Sequence, residues 1–214
     1  MIDIESPKEK KIENFVKLIL QKEAYIDSNI ILKEISENNI GFTSLNEIDP
    51  KEKIILIPSK LLITKENFKN FLLNKKLNFY DEELINLYFS ILPNLTFFKE
   101  NNFFYLKQSD INISLNLFKN HSPIKKSIET LFKNFNKLEN NIEKYIFLVF
   151  RTRSFRVKGK SFLAPLLDSM NYNFNTRGYF VENESVYLNS EKNLKKNEEI
   201  FQSYNLKVDP IKFF

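Results

Sequence analysis

Apolar positions recur along this chain with helical spacing in some stretches and in short runs in others. Over residues 8–21, Ile12, Phe15, Val16, Ile19 and Leu20 fall at i, i+3, i+4, i+7 and i+8, the stripe of an amphipathic helix that packs on a core. Residues 29–35 and 41–45 read as short strands on either side of a polar turn at 36–39, with Gly41 supplying backbone freedom. The apolar runs 54–57 and 61–63, divided around Pro58, are short enough to be buried strands. Thr64 is placed to cap a helix carrying Phe68, Phe71 and Leu72. Asp81 is placed to cap a second, carrying Leu84, Leu87, Tyr88 and Ile91, which Pro93 stops. The aromatic-rich stretch 97–106 reads as a strand or an irregular bridge. Two more stripes predict helices: one over 122–135 with Ile124, Ile128, Leu131 and Phe132 inward, and one through Ile142, Tyr145, Ile146 and Val149 that leads into Arg151. Residues 179–181 and 185–188 form a hairpin around Glu182, Asn183 and Glu184, with Tyr187 on one face.

With 214 residues the chain is long enough for one sizeable core. Hydrophobic residues make up 43% and charged residues 28%, ordinary for a globular protein and unlike a disordered one. The formal net charge is +5, but lysine and asparagine are abundant throughout, so the excess does not by itself point to nucleic acid. It is densest at 151–160, where Arg151, Arg153, Arg156, Lys158 and Lys160 occur without an acid. That run reads as solvated loop charge, with phosphate backbone or an acidic substrate segment as its other uses; Phe155 within it reads as core.

Composition also removes whole classes of chemistry. There is no cysteine, hence no disulfide framework, cysteine nucleophile or cysteine-ligated zinc. Three glycines, at 41, 159 and 178, make neither a phosphate-cradling loop nor a dinucleotide fingerprint. The single histidine, His121, lies in a polar turn before Pro123 and supplies neither a metal cluster nor a supported triad. No apolar run approaches the roughly 18 residues of a membrane span, and the first residues lack the apolar segment of a signal peptide. The expectation is a soluble intracellular protein, cytoplasmic or nuclear, monomeric, with no membrane partner and with nucleic acid not its main one.

Four motifs occur in order. Asn38-Asn39-Ile40-Gly41 begins a stretch that continues through Ile48 to Lys51-Glu52. Thr152-Arg153-Ser154-Phe155 follows much later, then Ala164-Pro165-Leu166-Leu167-Asp168-Ser169-Met170-Asn171-Tyr172. The last is Asn197-Glu198-Glu199-Ile200-Phe201-Gln202-Ser203-Tyr204-Asn205. Together they resemble the SET-domain protein-lysine methyltransferases, in the branch of the rubisco large-subunit methyltransferases. That family reads Gly-x-Gly-Leu-x-Ala-x-x-x-Ile-x-x-Gly-Glu, Ser-Arg-x-Phe, Val-Pro-x-x-Asp-x-x-Asn-His and Gly-Glu-Glu-Val-x-x-x-Tyr-Gly. Here Asn39 replaces the first glycine and Tyr172 the histidine. Asn197 and Asn205 replace two other glycines, and asparagine is the side chain best suited to left-handed backbone.

The resemblance implies an α+β fold: a SET β core of several small sheets with a knot-like C-terminal region, an N-terminal helix and a helical insertion over 65–140. On it, residues 1–214 form a single SET domain without a separate C-terminal substrate-binding domain. It implies S-adenosyl-L-methionine as cofactor and a protein presenting a lysine as substrate, with histidine also open as acceptor. Absent zinc-binding modules favour a non-histone target. By position, Asn38, Asn39 and Ile40 would offer main-chain groups to the cofactor, Asn171 would hold it, and Tyr172 would lie beside its adenine. Arg153 would meet its carboxylate, since a guanidinium suits a carboxylate. Asp168 would contact the substrate lysine, Tyr179 would wall its channel, Phe213 or Phe214 would complete that wall, and Tyr204 would be the catalytic phenol. The other reading is a catalytically inactive SET-fold protein-binding module, favoured by Tyr172 and Asn39; a basic ribosome- or RNA-associated protein rests on charge alone.

Overall fold

The computed structural model describes residues 8–36, 39–77, 79–101, 103–105, 122–171, 173, 176, 178–190 and 192–202. These described residues fall into two compact units, one from those up to 92 and from 153 onward, the other from those between 93 and 152.

The first unit opens with α1 (Lys8–Gln21), whose Ile12, Phe15, Leu18 and Ile19 are buried as the stripe predicts. Its strands make three small sheets, antiparallel throughout. The first pairs β1 (Tyr25–Ile26), β4 (Lys51–Ile57), β9 (Ser185–Ser190) and β8 (Phe180–Glu182) in that order. Ile54 and Ile55, adjacent in β4, are both fully buried, so this strand is covered on both faces. The second sheet joins β2 (Ile30–Ser36), β3 (Asn39–Ser44) and β10 (Glu199–Ile200), with β3 in the middle. The third joins β5 (Ile63–Thr64), β7 (Lys160–Leu163) and β6 (Ser154–Val157), with β7 in the middle. Helices α2 (Lys65–Leu72) and α3 (Phe79–Ile91) complete the unit, α3 packing on α1. Phe15, Phe42, Phe68, Tyr88 and Phe155 are the largest fully buried side chains, each stabilising by about 1.5–3 kcal/mol.

Local chemistry explains most boundaries. Thr64 caps α2 as expected, accepting from the Asn67 N–H at 3.0 Å. The β8–β9 hairpin closes through two residues in left-handed conformation, Asn183 (φ 47°) and Glu184 (φ 66°), the twist that antiparallel strands favour. Two expectations are corrected here. Residues 61–63 are not one strand: the Leu61 N–H turns back to the Pro58 carbonyl at 2.9 Å, closing a 3-10 turn before β5. Asp81 is not a cap, because α3 already starts at Phe79 and Asp81 falls in its first turn.

The second unit contains α4 (Leu95–Asn101), a 3-10 turn at Phe103–Tyr105, α5 (Ser122–Asn136) and α6 (Asn141–Arg153), whose last residue belongs to the first unit. The stretch 97–106 is therefore neither strand nor bridge over its described residues. Asn94 caps α4 by accepting from the Phe97 N–H at 2.9 Å, and this local device overrides the aromatic preference for strand. Ile128 and Phe132 of α5 are buried as expected, and Leu131 half-buried. The Asn140 side chain caps α6 through the Glu143 N–H, also at 2.9 Å.

Candidate functional site

The chain leaves β7 at Leu163 and runs through Ala164, Pro165 and Leu166, all buried. Leu166 holds φ 80° and ψ −59°, a costly conformation for a non-glycine residue. It turns the chain into a 3-10 turn at Leu167–Ser169. Asp168 in that turn is only 2% exposed. Its N–H donates to the Ala164 carbonyl at 3.1 Å, and its own carbonyl accepts from Arg153 Nη1 at 2.8 Å. One carboxylate oxygen, Oδ2, accepts from the Tyr88 hydroxyl of α3. The other, Oδ1, has no partner among the described residues. Burial pushes the Asp168 carboxyl up to about 6, against the opposing pull of the Arg153 guanidinium and the Tyr88 hydrogen bond.

Three residues on, Asn171 joins two strands. Its amide nitrogen donates to Glu199 Oε1 at 2.5 Å, and its carbonyl accepts from the Gln202 N–H at 3.0 Å. The Gln202 carbonyl in turn accepts from the Asn173 N–H at 3.1 Å. Residues 199–202 are thus bonded on one side to β3, where Glu199 lies opposite Thr43 and Ile200 opposite Phe42, and then to 171–173. Gly41 of β3 faces the same point. A methyl group on it would lie 3.0 Å from Ile35 Cγ1, 3.3 Å from Glu199 Oε1 and 3.5 Å from Asn171 Nδ2. Glycine here permits a close backbone approach, in a strand and without left-handed φ.

Polar capacity is left over at this junction. Gln202 is fully buried, yet its amide Oε1 and Nε2 have no partner among the described residues, and the same is true of Thr43 Oγ1. Buried amides are normally bonded, so unsatisfied donor and acceptor capacity is held within this junction. Beside it, Glu199 and Asn173 help to line a cavity of about 410 Å³ whose apolar wall includes Ile54, Leu188 and Phe201. The approach to β10 is clasped by Ser44: its N–H donates to the Glu198 carbonyl at 3.0 Å, and its hydroxyl donates to the Lys195 carbonyl. Asn197 within this clasp adopts φ 63°, the left-handed backbone to which asparagine is well suited.

The residues singled out in the sequence fall into three contact sets. Asn171 and the β3 backbone through Asn39, Ile40 and Gly41 belong to the junction; Ile40 is 5% exposed. Arg153 and Asp168 belong to the buried set with Tyr88. Tyr179 lies against β6, its ring edge-on to Phe155 at 4.7 Å and its hydroxyl accepting from the Arg156 N–H at 3.0 Å. Asn38, Tyr172 and Tyr204, like His121, Phe213 and Phe214, lie outside the described residues. In the basic run, Arg156, Lys158 and Lys160 are exposed and Lys158 pairs with Glu184 at 2.5 Å, while Phe155 is core. Tyr88, Glu199 and Gln202 escaped the sequence reading: Tyr88 passed as one more apolar-stripe residue, whereas the adjacent Glu198-Glu199 pair was a signal available in the motif itself.

Among the described residues no helix is long and apolar enough to cross a membrane, and no group of three or more histidine, cysteine, aspartate or glutamate side chains is placed to hold a metal.

By sequence, no family model and no curated protein matches the chain. By structure it is similar to the SET domain of LSMT bound to lysine and AdoHcy, with a TM-score of 0.58 and 16% identity over 94% of this chain and 54% of that one. The same domain bound to MeLysine and AdoHcy gives 0.59 and 17% over 94% and 54%. Rubisco LSMT bound to sinefungin and monomethyllysine gives 0.60 and 16% over 94% and 53%. The chain spans about half the length of the structures it matches. The likeness establishes the fold: a SET-type α+β architecture of small antiparallel sheets with helices, as the motifs imply.

Proposed function

We propose, on the premise of the SET fold, that this chain is an S-adenosylmethionine-dependent protein-lysine N-methyltransferase acting on a non-histone protein. The observation that carries it is the meeting of Gly41, Asn171 and Glu199. Three separate motifs, far apart in sequence, converge on one point where a side chain has been omitted and amide groups are presented. We read the chain as a single SET domain with residues 65–140 as its helical insertion.

The residues present fit the cofactor. Asn171 and main-chain groups of Asn39 and Ile40 in β3 would hold it, together with those of the preceding Asn38, with Tyr172 beside the adenine and Arg153 toward the carboxylate end. When bound, S-adenosylmethionine supplies a methyl group activated by its sulfonium. The chain's own contribution is positional and electrostatic. A lysine in water has a pKa near 10.4 and is almost wholly protonated at neutral pH. An aromatic wall such as Tyr179 on Phe155 disfavours the charged ammonium by desolvation. Holding the neutral amine aligned at roughly 3 to 3.5 Å from its target supplies much of the rate as orientation. Tyr204 would orient that amine through its phenol oxygen. We assign Asp168 no contact with the lysine, because its carboxylate is bonded to Tyr88 and its N–H and carbonyl to Ala164 and Arg153.

The test is calorimetric titration with S-adenosylmethionine, alongside Asn171→Ala. Micromolar binding that the variant loses supports the reading, and labelled-methyl transfer to protein, abolished by Tyr204→Phe, completes it. The second reading is a binding module on the same fold, which the Tyr172 replacement favours. Cofactor binding without transfer to any lysine- or histidine-bearing protein would select it. Failure of the wild type to bind would overturn the enzyme reading.

A further inference from the structure

Tyr88 carries a hydroxyl that packing does not need. Its ring is fully buried and lies 6.0 Å from that of Phe15, an environment phenylalanine would fill equally well. Burying a hydroxyl costs free energy unless it is bonded, and this one donates to Asp168 Oδ2. Asp168 poses the same question. A carboxylate at 2% exposure is a poor choice for stability, since an apolar residue of similar size is generally no worse there. What the pair achieves is location. Side chain, N–H and carbonyl of Asp168 are each held, by Tyr88, Ala164 and Arg153. The turn fixed in this way ends at Met170, and the next residue is Asn171, whose amide and carbonyl reach Glu199 and Gln202.

We infer that Tyr88 is a positioning residue: from α3 its hydroxyl fixes Asp168 and, through Asp168, the turn that presents Asn171 to the cofactor. This rests on the assignment of Asn171 given above. Tyr88 on α3 and Arg153 at the end of α6 are the titratable and charged side chains that face Asp168 among the described residues, β3 contributing none. Removing the phenol leaves a buried carboxylate without its donor, so the loss is greatest when Asp168 is ionised and fades as it takes up a proton.

The experiment uses the full chain as wild type, Tyr88→Phe, Asp168→Asn and the double variant. S-Adenosylmethionine affinity is measured from pH 5.5 to 8.5, and the Asn171 side-chain amide is followed by NMR in ligand-free protein. Tyr88→Phe is expected to weaken binding about tenfold at pH 8, the scale of losing one hydrogen bond to a charged group. The deficit should shrink as pH falls to 5.5, and the same change made on Asp168→Asn should cost less than about twofold. The Asn171 amide resonances should move in Tyr88→Phe. Equal losses at every pH, or losses in the two variants that simply add, would overturn the inference. If the wild type binds no cofactor, the proposed function fails but the inference is still decided: an Asn171 amide unmoved by Tyr88→Phe sinks it, and a displaced one sustains it. Should Tyr88→Phe not fold, Asp168→Leu cuts the same link from the other side and must move that amide.

Discussion

Around Phe104 in the 93–152 unit, Phe132, Phe135 and Phe147 lie with ring centroids 5.0 to 5.5 Å away, and Tyr105 sits edge-on to Phe135 at 5.3 Å. Around Asn171 in the other unit, the links are hydrogen bonds of 2.5 to 3.1 Å between residues 171–173 and 199–202. The first arrangement is held by contacts that depend on volume and tolerate rotation of the rings. The second depends on direction, and each partner has one acceptable geometry. An aromatic cluster can therefore be stable without being accurate, whereas the junction near Asn171 is accurate at some expense in stability, with a strained Leu166 and a buried carboxylate among its parts.

Perturbing the cluster should produce the largest effect. Phe135→Ala is expected to cost about 3–5 kcal/mol in denaturant unfolding, and Phe135→Leu less than about 1.5 kcal/mol, because volume is most of what the site requires. A similar loss for both would deny the contrast. Next is Asp168. Its folded-state pKa of about 6 lies above the ordinary 3.8, so the folded protein binds this proton more tightly than the unfolded chain. Its penalty is absent below about pH 4, grows as pH rises to about 6, and is fully present above. Asp168→Asn should accordingly raise stability at pH 8 by at most about 3 kcal/mol, at 1.36 kcal/mol for each pH unit of difference, and change little at pH 4. A gain of equal size at both pH values would contradict the assignment.

Gly41→Ala comes third. With Ile35 Cγ1 at 3.0 Å and Glu199 Oε1 at 3.3 Å from the new methyl group, neighbours must shift, for about 1–3 kcal/mol of destabilisation. Cofactor titration should show a disproportionate fall in affinity, which an equally destabilising change such as Ile128→Val would not produce. The smallest effect belongs to Asn197→Gly. At φ 63° the substitution removes a modest backbone penalty and should leave unfolding free energy and cofactor affinity within a few tenths of a kcal/mol of wild type.

Much of the fold was legible where one residue decides one local outcome. The α1 stripe, the Thr64 cap and the Asn183-Glu184 turn each follow from spacing or backbone preference alone. Errors arose where two local signals competed. Aspartate suits a first turn as well as a cap, which misplaced the start of α3, and Asn94 after Pro93 was a capping signal overshadowed by the aromatics that follow. The site was legible as motifs but not as contacts. Nothing in the sequence says that Tyr88 meets Asp168, 80 residues later, because tertiary hydrogen bonds leave no period to read.

The pairing of β10 with β3 also sets an order of events during synthesis. Thr43 must wait for Glu199; at typical translation rates of about 5–20 residues per second that is on the order of ten seconds. Through that interval one edge of β3 is unsatisfied, and an unpaired edge invites pairing with other chains. The strand that completes the junction thus also closes one of the nascent protein's routes to aggregation. Slowing translation just before residue 199 should lengthen that vulnerable period without altering the finished protein.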